Sequence, residues 1–193
     1  MRAFAAVVAA LLATGSVAAC ATKTIEYQGD YPMYESLEAI YAKANLVIEA
    51  RIGAAERVQE LRPTVTGTDP EANPQAGAGH PPAAVDDVVV VTVRPVEVVR
   101  TFKGDAKPGE VVEVGELGGE YKGVRYAQSG ATSLKAGTTY LLFLEVYPAA
   151  PAALLNPTQA QYPVDAAGRL TPLKDNELRF TVDDLRKLST VGP

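Results

Sequence analysis

The chain has 193 residues, with 18 basic and 23 acidic side chains, a net charge of −5, one cysteine and no tryptophan. That charge, without any basic tract, excludes nucleic acid and anionic lipid surfaces as partners drawn by the chain's overall electrostatics. One cysteine excludes a disulfide within the chain, so stability must come from packing of Val, Leu, Ile and Tyr. The absence of Trp removes the best wall of an aromatic cage.

The N-terminus has the three parts of an export signal: Arg2, the apolar run Ala3 to Ala13, and small residues up to Ala19. This run is too short to span a bilayer, which takes about 20 apolar residues. Val17-Ala18-Ala19-Cys20 also resembles a lipobox, the pattern after which bacterial lipoprotein signal peptidase cuts and leaves a lipidated cysteine. Removal of residues 1–19 and lipidation of Cys20 are therefore expected, with acyl chains as the membrane anchor. Ordinary signal peptidase sites at Val17-x-Ala19 and Ser16-x-Ala18 are the alternative. Position 21 is Ala and not Asp, which points to the outer membrane of a two-membrane cell, or else to the outer face of the cell membrane.

Residues 20–30 read as a polar tether, and residues 31–193 as one domain. Met33, Leu37, Ile40, Tyr41 and Ala44 fall on one face of a helix over Tyr31 to Ala44. Pro32 suits its first turn and Asn45 its end. A strand over Leu46 to Ala54 follows, buried on one face and largely wet on the other. Residues 62–84, rich in Pro and Gly, bury too little to offset their ordering entropy and read as a flexible loop. His80, the only histidine, lies within it, away from the fixed partners that catalysis or metal binding requires.

Val85 to Phe102 is the strongest strand signal, and its buried parity changes across Pro95, which predicts a β-bulge there. Further strands are expected at Glu110 to Leu117 and Thr139 to Tyr147. Tyr162-Pro163-Val164 with Arg169 to Leu173 suggests a short hairpin. Thr181 with Asp184 predicts a capping box at the start of a terminal helix. The expected class is mostly β, as a small OB-like five-stranded barrel with a leading helix and a short C-terminal helix.

Three segments carry a family resemblance. Ala44-Asn45-Leu46-Val47-Ile48-Glu49-Ala50, Val93 to Gly104 ending Phe-Lys-Gly, and Lys135 to Phe143 resemble successive strands of the tissue inhibitors of metalloproteinases and their netrin-like relatives. The resemblance covers roughly residues 33–147 and implies the OB-like barrel. Those inhibitors chelate the protease zinc through an N-terminal cysteine, for which Cys20 is the matching residue. They are also stapled by disulfides, which this chain lacks. An acylated α-amino group offers no basic lone pair to a metal. The expected function is thus a non-catalytic binding or structural module, with an extracellular metalloprotease inhibitor as the alternative.

No nucleophile–base set or phosphate loop stands out. Glu116 and Glu120 are carboxylates beside a glycine turn, where a solvated turn competes with a cation site. Tyr121, Arg125 and Tyr126 form the candidate contact surface for an envelope or extracellular protein, since Tyr and Arg are enriched at binding hot spots. No cofactor or metal is expected.

Overall fold

The computed structural model describes residues 23–29, 31–61 and 89–190. The export signal, Cys20 and the 62–84 loop with His80 lie outside the described residues. The fold is mostly β. In chain order the elements are β1 (Lys23–Tyr27), α1 (Leu37–Lys43), β2 (Leu46–Ile52), β3 (Arg57–Leu61), β4 (Val89–Lys103) and β5 (Val111–Leu117). Then follow β6 (Gly119–Tyr121), β7 (Val124–Gln128), β8 (Thr139–Tyr147), β9 (Ala150–Leu154), β10 (Gln161–Pro163) and α2 (Val182–Thr190).

The larger sheet is ordered β10-β8-β2-β4-β5-β9, with β3 also on β4 and β8 also on β9. All its pairings are antiparallel except β5 with β9. A smaller sheet is ordered β1-β7-β6, with β1 parallel to β7. Part of the expected tether is therefore a strand: Ile25 and Tyr27 pair beside Tyr126 and Gln128, and Tyr27 stacks on Tyr126 at 5.8 Å between ring centroids.

Both faces of β2 and β8 are covered, which explains why Tyr140 to Leu144 is an unbroken apolar run. On one face, Ile48, Ala50, Ile52, Leu142 and Leu144 pack with Val96, Val98 and Val114. On the other, Val47, Leu141 and Phe143 meet Leu37 and Ile40 of α1 and Leu185 of α2. Here Phe143, Tyr162 and Phe180 meet edge to face at 4.8–6.3 Å. Phe143 and Tyr162 are fully buried, and burying a side chain of this size contributes about 1.5–3 kcal/mol of transfer free energy. The second face of β2, expected to be largely wet, is instead roofed by the helices at Val47.

The leading helix starts later than its periodicity predicts. Ser36 caps it, its Oγ accepting from Ala39 N at 3.2 Å. Upstream, the Gln159 side chain accepts from Tyr34 N at 2.8 Å and donates to Tyr34 O at 3.0 Å. Asn156 donates to Pro32 O at 3.0 Å. These amides take the backbone groups that another helical turn would use, so residues 31–35 dock on the 156–159 loop. At the other end Thr181 and Asp184 form the expected box: Thr181 N donates to Asp184 Oδ2 at 3.0 Å, and Asp184 N to Thr181 Oγ1 at 3.2 Å. The expected 162–173 hairpin is reduced to β10 and a single bridge, Val164 to Leu170.

Pro95 is not a bulge. The β4–β5 register runs without a shift through Pro95 opposite Glu113. The shifts fall further along, against β2, between Glu49 and Ala50 and between Val47 and Ile48. Thr92 and Arg94 thus share a face with Val96 and Val98, while Val91 and Val93 are buried on the opposite face. The change of parity reflects which face is covered, not an extra residue. Pro95 O accepts from Gly53 N at 2.8 Å. Its missing N–H falls on that same edge, between the end of β2 and the start of β3, where proline breaks no ladder bond. A Cβ on Gly53 would stand 2.9 Å from Pro95 O, so only glycine lets the backbones meet there.

Candidate functional site

The two sheets meet where β5 ends. Gly118 and Gly119, both at positive φ, turn the chain from β5 into β6. A Cβ on Gly119 would lie 2.7 Å from Thr92 Oγ1 and 3.0 Å from Val58 Cγ1, so β6 rests directly on β3 and β4. Thr92 Oγ1 donates to Gly118 O at 2.8 Å, and Tyr27 OH accepts from Val90 N at 2.9 Å. These contacts hold the small sheet against the end of the large one.

Glu116 sits in this junction on the face of β5 that Val114 buries. Its Oε1 accepts from Leu134 N at 2.8 Å and its Oε2 from Arg94 Nε at 2.9 Å. Arg94 also pairs with Glu56. The Glu116 and Arg94 side chains are 11% and 14% exposed, and Glu56 is half exposed. Burial raises the Glu116 pKa above the ordinary carboxylate value, against the pull of the Leu134 N–H and the Arg94 guanidinium.

Beside Glu116 lies a cavity of about 160 Å³, lined also by Tyr31, Val91, Gln128, Thr132 and Gln161. Gln161 is buried; its Nε2 donates to Thr132 O and Pro157 O, both at 2.7 Å. Its Oε1 has no partner among the described residues. A wider cleft of about 420 Å³ adjoins Glu116 on the side of Arg94, Glu120, Arg125 and Tyr126.

The structure separates the sequence-predicted contact residues. Tyr121, Val124 and Tyr126 share one face of the small sheet, the face Gly119 turns towards β3 and β4. Tyr121 OH bonds Glu60 Oε2 at 3.3 Å, and Tyr126 stacks on Tyr27. Both tyrosines are half-buried packing residues. Arg125 stands on the opposite, outward face beside Thr24 and Glu120, all three exposed. Glu116 and Glu120 do not converge: one is buried with both oxygens engaged, the other faces out. Among the described residues no three His, Cys, Asp or Glu side chains group as a metal site, and no helix is long and apolar enough to cross a membrane. Cys20 lies outside the described residues.

Sequence reasoning missed the Glu116–Arg94 pair and the Gln161 cavity. One signal for the first was present: Glu116 continues the buried parity of Val112 and Val114. Gln161 carried none, because its burial comes from β10 pairing with β8.

No family model, no curated protein and no solved structure matches the chain.

Proposed function

We propose that the chain is a lipid-anchored protein of the bacterial envelope, held by Cys20, whose domain is a non-catalytic binding or structural module. The observation that carries the binding reading is the outward face of the small sheet. Thr24, Glu120 and Arg125 stand side by side and exposed, and Arg125 has no ion-pair partner among the described residues. An unpaired arginine on a rigid strand suits partner recognition. The OB-like, netrin-like reading is part of the proposal. Its support is the chain of pairings β2–β4–β5–β9–β8, in which β8 also pairs β2 and β5–β9 is the single parallel step.

Two measurements test it. The mass of the mature N-terminus should show Cys20 with acyl chains on its thiol and amino group; a mature start at any other residue overturns the anchor. A photo-crosslinking residue in place of Arg125, in intact envelopes, should yield one discrete protein adduct. A crosslinker that captures no protein overturns the partner face.

A further inference from the structure

We infer that the cavity beside Glu116 is a binding site for a small neutral molecule with an apolar body and one hydroxyl, the hydroxyl donating to Gln161 Oε1. The site shares no residue with the face of Thr24, Glu120 and Arg125, and it does not depend on lipidation of Cys20. Its volume is about 160 Å³. An apolar cavity of about 150 Å³ takes a guest the size of benzene, so a single six-membered ring fits here. Val91, Leu117, Ala153, Leu154 and Pro157 make the wall mostly apolar, with a few polar side chains among them. That is the make-up of a small-molecule site.

Gln161 supplies the reason for a hydroxyl. The residue is 1% exposed, and its side chain lines the cavity. Both Nε2 hydrogens are engaged, on Thr132 O and Pro157 O at 2.7 Å each, which fixes the orientation of the amide. That leaves Oε1 as a buried acceptor without a partner among the described residues. Holding Thr132 explains the nitrogen and not the oxygen. An unpaired buried acceptor is destabilising, and a donor brought in through the cavity removes that cost. An anion would face this oxygen and the Glu116 carboxylate together. An ammonium finds no bare carboxylate, because Glu116 already accepts from Leu134 N and Arg94 Nε, so its charge would be desolvated without a counter-ion. Ordered water needs two to four polar partners, which most of this wall does not offer.

The walls are already in place. Exposed residues Ala131, Thr132 and Ser133 line the outer side of the cavity. They are held by Gln161 at Thr132 O and by Glu116 at Leu134 N, one bond on each side of Ser133. Tyr31 and Gln128, also in the lining, are joined by a hydrogen bond of 3.4 Å. A preformed site loses little to ordering when it binds. The exposed 131–133 strap, which has no regular secondary structure, is the way in.

The test titrates phenol, benzene and benzylamine into the intact mature protein and follows amide NMR shifts at Gly115, Leu117 and Ala153. Phenol should bind saturably there and several-fold more tightly than benzene, a difference of one hydrogen bond. Gln161→Leu should bring the two affinities together. Because that variant also releases Thr132 and can loosen the strap, Ala153→Leu serves as the second: it keeps Gln161, fills the space and should abolish binding of both. No saturable shift with any probe leaves water as the occupant and overturns the site. Benzene bound as tightly as phenol, or a preference for phenol that survives Gln161→Leu, overturns recognition of the hydroxyl by Gln161. Benzylamine bound more tightly than phenol overturns the neutral class, and phenol binding unchanged in Ala153→Leu places the ligand elsewhere and overturns the cavity.

Discussion

Replacing Arg94 by Met should destabilise the domain more than replacing Glu116 by Gln, and the difference should grow with pH. Arg94→Met leaves the Glu116 carboxylate in a site where its side chain is only 11% exposed, with Leu134 N–H as its remaining partner. Removing one member of a buried pair costs about 3–5 kcal/mol, and the slight exposure here lowers that to about 2–4 kcal/mol at pH 8. Glu116→Gln retains an oxygen for Leu134 N–H and leaves Arg94 its second partner, Glu56, for a loss of about 1 kcal/mol. The pH trend follows from the direction of the Glu116 shift. Its folded-state pKa lies above the ordinary 4.5, so its contribution to stability is fully present below 4.5 and is lost as pH rises through the folded value. Without Arg94 that folded value climbs further, and the loss extends to higher pH. Urea unfolding of both variants at pH 5 and pH 8 reads this directly. An equal loss at both pH values for Arg94→Met, or a larger loss for Glu116→Gln at pH 8, would refute the account of a burial-strained carboxylate held by its guanidinium.

Gly53→Ala should cost about 1–3 kcal/mol, because its methyl would press on Pro95 O at 2.9 Å; a melting temperature unchanged from wild type would show that the backbones can part freely. Ile48→Ala, at a fully buried site, should cost about 2–5 kcal/mol in urea unfolding. Asp184→Ala should lower the melting temperature at pH 6 and make little difference near pH 1. The Thr181 and Lys187 contacts depress the Asp184 pKa to about 2, so its contribution is present above 3.8 and lost as pH falls through about 2. If the domain inhibits an extracellular metalloprotease, that activity will show at micromolar concentration and vanish on acylation of Cys20; its survival in the acylated protein would remove the chelation argument.

The β class and several long elements were legible because alternation and capping are local signals. Thr181 with Asp184 and the run Thr139 to Tyr147 declare themselves within a few residues. The small sheet was not legible, because its strands are short and polar on one side. Lys23–Tyr27 becomes a strand only by pairing with a segment a hundred residues away. Pro95 misleads for a related reason: burial parity is not backbone parity, because coverage of Val91 and Val93 on the second face is a tertiary matter. The site followed the same division. Tyr121, Arg125 and Tyr126 are neighbours in sequence, but an alternating strand sends Arg125 outward and both tyrosines inward. Gln161 had no local signature at all, since only the fold buries it.

The parallel step between β5 and β9 rests on Val114 beside Ala152 and Gly115 beside Ala153, a short seam between small side chains. The β2–β4–β5 meander has long antiparallel ladders by comparison. This seam should open before the meander does, β9 parting from β5 while the β2–β4–β5 ladders hold. Amides of Ala152 and Ala153 should then exchange before those of the meander.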